Sequence, residues 1–307
     1  IPFIALYNGG AAVFRAMGNS EVSMKVSLLM NAINVSGNAI LIYGFHCGTE
    51  GVAIPTLVSR FVAAFIIIKL LLKDKWSLHL ERTYRFNPDW SMIRKILSVG
   101  IPNGLENSMF QLGKVLVLSL VSTFGTYAIA ANAVSNVITL FSILPGQAIC
   151  LAVTTVIARC VGAGDYEQAK YYNKKLILLT HIGMAITIFI VFITLPFILK
   201  VYNLSEAASE ATRHIIWFHG FCAILIWAES FTLPATFRAC GDAKACMIIS
   251  TVSMWIFRVG ASYILGKNLG LGVFGVWVAM IIDWAFRSLL FGIRYFSGKW
   301  KKHALVS

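Results

Sequence analysis

The chain has 307 residues, of which 58% are hydrophobic and 13% are charged. Soluble domains usually carry about 25% charged residues, so this composition excludes an ordinary water-soluble domain and indicates a membrane protein. The formal net charge is +13, and the six cysteines form no CxxC pair, so neither a zinc site nor a disulfide framework is indicated.

Eight long apolar segments follow one another along the chain, after a shorter one at residues 1–13. Each approaches or exceeds the roughly 20 residues that a helix needs to cross a hydrocarbon layer of about 30 Å. Segments of about ten residues in which polar and apolar side chains alternate, which are typical of membrane β-barrels, are not found in the sequence. The sequence therefore predicts an all-α polytopic membrane protein. The predicted spans lie at about residues 22–45, 51–72, 98–123, 127–158, 172–201, 213–236, 246–266 and 272–296.

The basic residues are distributed unevenly between the two sides of the membrane. Nineteen of the 26 Lys and Arg lie in the C-terminal tail and in the connections 14–25, 69–95, 159–175 and 238–244, whereas three lie in the other connections. Cytoplasmic loops carry such an excess, so these connections are predicted to face the cytoplasm. The charge is thus a signal of topology in the cytoplasmic membrane, with lipid as a contact, and no nucleic-acid partner is expected.

A short charged pattern occurs twice in the chain. FRAMG at 14–18 matches FRACG at 237–241, and GTEGV at 48–52 matches GVFGV at 272–276. Two patterns in the same order at nearly one offset indicate an internal duplication, with both copies in the same orientation because both FRA segments are predicted to be cytoplasmic. Applied to the start of the second half, the offset predicts a counterpart about 125 residues before Ile1, and hence an N-terminally truncated chain.

Five segments of the sequence resemble the multidrug and toxic compound extrusion (MATE) family of transporters. They are FRAMGNSEVSMKVSLLMNAINVSGNAILIYG (14–44), GVAIPTLVSR (51–60), VGIPNGLENSMFQLGK (99–114), LPGQAICLAVTTVIARCVGAGDYEQAK (144–170) and FRACGDAK (237–244). The resemblance implies a two-lobed fold of six plus six helices, of which about 8.5 are expected here, from the end of helix 4 through helix 12. The expected parts are the end of the first lobe (1–73), a cytoplasmic connector (74–97) with an amphipathic helix at WSMIRKIL (90–97), and the second lobe (98–307).

The resemblance also implies an activity. Members of such a family would be cation-coupled antiporters, driven by Na⁺ or H⁺, that export organic drugs or metabolites by alternating access. We expect the exported compounds to be cationic. A lipid-linked saccharide flippase of the same superfamily is the alternative, and its cleft would need Lys and Arg to hold a pyrophosphate. An enzyme is not expected, because no nucleophile and base, metal cluster or Walker motif is found in the sequence. We expect no cofactor besides the coupling ion, a small organic substrate as partner, and a monomer.

Polar side chains recur at helical spacing on three predicted spans. In lipid such groups must face protein or water. Interhelical hydrogen bonds of about 0.6 kcal/mol each are one explanation, but three stripes together favour a hydrated cavity. The predicted cavity-lining residues are Asn31, Asn34, Asn38, Asn103, Asn107, Gln111, Lys114, Asn132, Asn136 and Thr139.

Three acidic residues fall within predicted spans, namely Glu106, Glu229 and Asp283. An unpaired carboxylate there costs about 2.5–3.5 kcal/mol, so each is predicted either to pair with a cation or to bind the coupling ion. Glu106 is the favoured ion carrier, with Asn107 beside it as a further ligand if the ion is Na⁺.

A structural ion pair is the alternative role for one of these acids. Asp283 precedes Arg287 by four residues, and Arg258 lies near the middle of the preceding span. Glu106 and Glu229 also depart from the family pattern: many members carry a glutamate about eight residues after the proline that opens helix 7, whereas Glu106 follows Pro102 by four, and Glu229 is displaced by about two residues.

Overall fold

The computed structural model describes residues 1–81 and 88–303, and within these ranges the chain forms helices and no strands. Residues 82–87, inside the predicted connector 74–97, lie outside the described residues. The α-helices are α1 (Pro2–Ala16), α2 (Ser20–Ala39), α3 (Glu50–Leu71), α4 (Trp90–Ser122), α5 (Thr126–Gly162), α6 (Tyr166–Tyr202), α7 (Glu206–Trp227), α8 (Leu233–Ala239), α9 (Ala243–Ser253) and α10 (Gly272–Phe296). Four π-helical segments lie between them (Ile40–Gly44, Ala228–Thr232, Met254–Gly260 and Tyr263–Asn268), and a short 3₁₀ helix (Lys299–His303) follows α10.

The chain divides into two compact units, Ile1–Pro88 and Asp89–Ser307. In the first unit, α1 and α2 pack against α3, and their apolar faces form a core around Phe14 and Ile67, both fully buried. The ring of Phe14 also meets Trp76 edge-on, with centroids 5.3 Å apart. The three helices of this unit therefore pack together around one hydrophobic core.

In the second unit, α5 packs along α6, α7 and α8, while α4 packs against α9. Helix α10 contacts α7 and three of the π segments. Its Trp277 and Trp284 are 4% exposed and belong to the same apolar cluster as Trp227 of α7. Because α7 continues through the π segment Ala228–Thr232 into α8, this cluster fixes a bulged helix against α10.

The FRA pattern forms the same helix end in both units. Gly18 and Gly241 have φ angles of 82° and 85°, a left-handed conformation that glycine adopts without steric cost. The residue after each glycine donates its N–H to the carbonyl of the pattern's phenylalanine, Phe14 or Phe237, at 2.9 Å in both cases. This is the hydrogen bond of a Schellman motif, so the sequence repeat is also a repeat of backbone geometry.

The second repeated pattern also has matching geometry. The carbonyl of Leu41 accepts a bond from the N–H of Cys47 at 2.9 Å, and the carbonyl of Leu265 accepts one from Leu271 at 3.1 Å. The glycine that follows packs closely on this turn in the second unit. A Cβ added to Gly275 would lie 2.8 Å from the backbone carbonyl carbon and oxygen of Leu265.

Seven helices in the described part of the chain are long and apolar enough to span a membrane, namely 20–44, 50–71, 126–162, 166–202, 206–239, 243–268 and 272–296. The predicted span 98–123 belongs to α4, which is not among the seven because its polar side chains lower its hydropathy. The helix predicted at residues 90–97 is not separate either. It forms the first two turns of α4, and Asp89 caps that helix through the N–H groups of Ser91 and Met92 at 2.9 and 3.1 Å.

Candidate functional site

The second unit contains a cavity of about 1090 Å³ between α4, α5, α7, α8, α10 and two π segments, Ala228–Thr232 and Met254–Gly260. Drug-sized ligands bind in pockets of this size that combine aromatic walls with a few polar groups. The aromatic residues that line this one are Phe110, Trp227, Phe231, Trp277 and Trp284. A smaller cavity of about 220 Å³ shares Lys114 and Arg258 with it.

Four of the predicted lining residues line the large cavity, namely Asn103, Lys114, Asn136 and Thr139. Asn132 lines the smaller cavity. Its side-chain oxygen accepts a hydrogen bond from Trp277 Nε1 at 3.1 Å, so this asparagine also joins α5 to α10. The structure therefore brings the polar stripes of two predicted spans, on α4 and α5, to one site.

The remaining predicted lining residues lie elsewhere. Asn107 and Gln111 are exposed on α4 and line neither cavity of the second unit. In the first unit, Asn34 donates its side-chain N–H to Thr56 Oγ1 at 3.0 Å, and Asn38 donates to Asn34 Oδ1 at 3.3 Å. Asn31 on the same helix is exposed. Asn34 and Asn38 thus join α2 to α3 and to each other.

Glu106 is buried and paired. Its two carboxylate oxygens accept hydrogen bonds from Arg238 Nη2 at 2.7 and 2.8 Å, and its side chain is 6% exposed. The arginine belongs to the second FRA pattern and also lines the cavity. The pair therefore ties α4 to α8 at the edge of the cavity, and the carboxylate is not free in this conformation.

This pairing bears on the predicted Na⁺ site at Glu106 and Asn107. A guanidinium at 2.7 Å from the carboxylate repels an incoming cation and occupies the oxygens that would ligate it. The side-chain amide of Asn107 donates to the carbonyl of Asn103 at 2.9 Å, on the exposed surface of the helix. These two residues do not fit a Na⁺ ion in the observed arrangement.

Glu229 lies in the π segment between α7 and α8 and contacts a histidine. Its Oε1 is 3.0 Å from His181 Nε2 of α6, and its Oε2 is buried with no hydrogen-bond partner in the described structure. The other ring nitrogen of His181, Nδ1, is 2.6 Å from the carbonyl of Ile224. That carbonyl needs an N–H donor, so Nδ1 carries a proton and Nε2 is left to receive or share one with the carboxylate.

Asp283 is fully buried on α10. Its Oδ1 accepts a hydrogen bond from Ser253 Oγ at 2.5 Å, and its Oδ2 is 4.0 Å from Arg258 Nη1. Arg287, one turn further on, donates instead to the carbonyl of Ser230 at 3.2 Å. Of the two structural partners considered from the sequence, Arg258 is therefore the one within ion-pair distance.

Several residues of the site were not singled out from the sequence. From the sequence, Arg238 stood out only as part of the repeated FRA pattern, and His181 and His219 had no assigned role, although all three contact acids or line the cavity. The repetition of the FRA pattern was the available signal for Arg238. The sequence carried no signal for His181, because its partner is 48 residues away.

Known proteins resemble this chain in sequence and in fold. The probable multidrug resistance protein NorM of Thermotoga maritima is 27% identical over 302 residues, which are 97% of this chain and 64% of that protein. The uncharacterized transporter YisQ of Bacillus subtilis is 26% identical over 298 residues, 94% of this chain and 64% of that protein. The chain thus spans just under two thirds of the length of these relatives.

The solved structures show the same fold. An outward-facing structure of a multidrug resistance MATE family transporter of the MOP superfamily covers 96% of this chain with a TM-score of 0.87, at 20% identity and over 66% of its own length. The family model described as MatE matches residues 102–264, which is more than half of the chain. Seven candidate spans in the described residues, together with this match, identify a multi-pass protein of the cytoplasmic membrane. The chain belongs to the MATE family of transporters.

Proposed function

We propose that the protein exports small organic compounds from the cell in exchange for an inward-moving cation, by alternating access. The observation that carries this proposal is the aromatic cavity of about 1090 Å³ among the helices of a chain that belongs to this family. The related proteins named for multidrug resistance support export, and they do not favour the flippase alternative. The monomeric state, the contact with lipid and the absence of a nucleic-acid partner stay predictions.

We assign proton coupling to Glu229 and His181 rather than to Glu106. The partner of Glu106 is an arginine, which keeps its charge at all physiological pH values. Histidine, in contrast, is the side chain that can exchange a proton near neutral pH, and this chemistry supports the Glu229–His181 pair as the proton carrier. Asp283, held by Ser253 and near Arg258, is the second candidate.

The position of Glu229 supplies a route from proton to substrate. The residues two before and two after it, Trp227 and Phe231, both line the cavity. Ser230, next to it, donates to the carbonyl of Trp284 at 2.6 Å. π-helical segments inside α-helices frequently occur at functional sites. A proton on the carboxylate would weaken its ion pair with His181 and so change the packing of the same turn that holds two cavity rings.

The test is efflux of a fluorescent aromatic dye from proteoliposomes that contain the complete gene product, driven by a pH gradient or by a Na⁺ gradient. We expect Glu229→Gln and His181→Gln to lower pH-driven efflux at least about tenfold, the range of a lost proton-transfer group. Glu210→Gln is the matched control, because this exposed acid lies on α7 away from the cavity, and we expect wild-type rates from it.

Two results would contradict the coupling assignment. One is normal pH-driven efflux by Glu229→Gln together with loss of efflux in Asp283→Asn, which would place the coupling on α10. The other is efflux that follows the Na⁺ gradient alone. Absence of dye movement in the wild-type protein under both gradients would contradict export itself.

A further inference from the structure

The charges at the cavity are of one sign. Its lining contains three basic residues, Lys114, Arg258 and the Glu106-paired Arg238, and no aspartate or glutamate among the described residues. The smaller cavity beside it is lined by two of the same cations and likewise by no acid. An organic cation that entered this cavity would therefore meet like charges, which argues against the cationic substrate expected from the family.

The three acids of the predicted spans do not line the cavity, and one of them, Glu106, compensates the charge of Arg238. Glu106 is 5% exposed, with both oxygens bound to Arg238, and Asp283 is 0% exposed. Glu229 faces His181, and neither of these two residues lines the cavity. The three carboxylates therefore lie behind the residues that line the cavity, whereas Lys114 and Arg258 are themselves lining residues.

Arg258 has hydrogen-bonding capacity that the protein does not satisfy. Its Nη2 contacts the sulfur of Met280 at 3.0 Å, and its Nη1 is 4.0 Å from Asp283 Oδ2. Thioether sulfur is a weak acceptor, and 4.0 Å is beyond hydrogen-bond distance. A guanidinium that is only 15% exposed thus presents donors to the cavity without strong acceptors.

Lys114 is the second unsatisfied cation. Its ammonium makes no ion pair or hydrogen bond within residues 1–81 and 88–303, although the residue lines both cavities with Arg258. Two neighbouring cations repel each other, so keeping both at one cavity costs energy unless an anion lies between them. Their placement is therefore the arrangement expected of an anion site.

A fourth basic residue, Arg287, lies behind the aromatic rings of the cavity. The guanidinium of Arg287 is 5.1 Å from the ring centre of Phe110 and 4.7 Å from that of Phe231, and both rings line the cavity. Its Nε and Nη1 are buried without partners in the described structure. Arg287 therefore adds positive potential to a cavity whose surface is aromatic.

We propose that this cavity binds an aromatic compound through an oxyanion group, a carboxylate, sulfonate or phosphate, held between Lys114 and Arg258. Arginine recognises such groups with two parallel hydrogen bonds, and Trp277 and Trp284 offer rings against which the aromatic part can stack. The inference rests on the proposed function only in taking this cavity as the place where the exported compound binds. It names the charge of that compound.

The test is binding rather than transport, so that it can be scored even if export fails. We would use isothermal titration calorimetry on the complete gene product in nanodiscs of neutral lipid, with three probes that share one ring system: naphthoate, naphthamide and naphthyl-trimethylammonium. We expect naphthoate to bind at least about tenfold more tightly than the other two, because a hydrogen bond to a charged group is worth this much or more.

Variants locate the site. Lys114→Ala and Arg258→Gln should each weaken naphthoate binding about tenfold and leave naphthamide binding within about twofold. Lys267→Ala is the matched control, because it removes a cation that lines neither cavity, and it should bind like the wild type. Lys114 is exposed, so its variant is informative even where Arg258→Gln fails to fold.

A second arm separates two sources of the oxyanion. If phosphatidylglycerol in the nanodisc competes with naphthoate and the competition is lost in Lys114→Ala, the natural anion is a lipid headgroup phosphate. If anionic lipid has no effect, it is a soluble compound, and both results support the oxyanion site. Tighter binding of naphthyl-trimethylammonium than of naphthoate, or equal naphthoate binding by wild type and both variants, would overturn the proposal.

Discussion

The two FRA helix ends, at residues 14–19 and 237–242, have one backbone and two different surroundings. The glycine φ angles differ by only three degrees, 82° against 85°. The side chains of the two arginines, however, find different partners. Arg15 donates to the hydroxyl of Ser23 at 3.3 Å, whereas Arg238 binds both oxygens of Glu106.

The residue after each glycine shows the same difference. In the first unit it is Asn19, whose side chain makes no capping hydrogen bond. In the second it is Asp242, which accepts bonds from Arg294 Nε and Nη2 at 2.5 and 2.9 Å. The five residues of the FRA pattern determine the backbone conformation of the helix end. Residues far away in the chain determine whether the side chains at that helix end form ion pairs.

The largest expected effect comes from removing the carboxylate of the second junction. Glu106→Ala leaves Arg238, 25% exposed at its side chain, without its charge partner. The loss of one member of a buried pair costs about 3 kcal/mol or more, so the thermal midpoint of the purified protein should fall by several degrees. Arg15→Ala, the matched change in the first unit, should cost less than about 0.5 kcal/mol.

The double variant Glu106→Ala with Arg238→Ala sharpens this comparison. The two residues bind each other, so their losses should not add, and the double variant should be more stable than the sum of the single changes predicts. Strict additivity of the two losses would contradict the ion pair.

A smaller effect is expected where the two units differ after the glycine. Asp242→Asn weakens two charge-assisted hydrogen bonds to a partly exposed Arg294 and should cost about 1–2 kcal/mol. Asn19→Asp in the first unit should change the unfolding free energy by no more than about 0.5 kcal/mol. Chemical unfolding of both variants measures the difference. Equal losses of unfolding free energy would mean that the bonds between Asp242 and Arg294 do not stabilise the second helix end.

The smallest effect, and the one that should be equal in both units, concerns the glycines themselves. Gly18→Ala and Gly241→Ala place a Cβ in a left-handed conformation, which costs about 1 kcal/mol. The unfolding free energy should fall by the same amount in each variant. A loss of unfolding free energy in only one of the two variants would show that the same backbone geometry contributes differently to stability in the two units.

The succession of helices was predictable from the sequence because hydrophobic length alone determines it. All eight predicted spans and the partial one correspond to helices in the same order, with π segments inside three of the helical regions that hydropathy does not reveal. The repeat was predictable for a similar reason, since glycine at a helix end is a local requirement. Both properties depend on residues that are close together in the sequence.

The polar face of α4 shows where sequence reasoning was less accurate. Residues four apart on a helix are rotated by about 40° relative to each other, so a stripe with this spacing drifts around the helix. Asn103, Phe110 and Lys114 stay within about 20° of one direction and line the cavity, whereas Gln111 has moved by about 80° and is exposed. The pairing of Glu106 with Arg238, 132 residues away, depends on tertiary packing that spacing along one helix does not contain.

Gly275 has a mechanical consequence for the last two helical regions. The backbone of Leu265 and Gly266 lies so close to it that any side chain at this position would push the π-helical segment Tyr263–Asn268 away from α10. No side chain separates the two backbones at this point, so they are in direct contact there. We therefore expect the segment Tyr263–Asn268 and the start of α10 to move together in any conformational change, because a close backbone contact joins them.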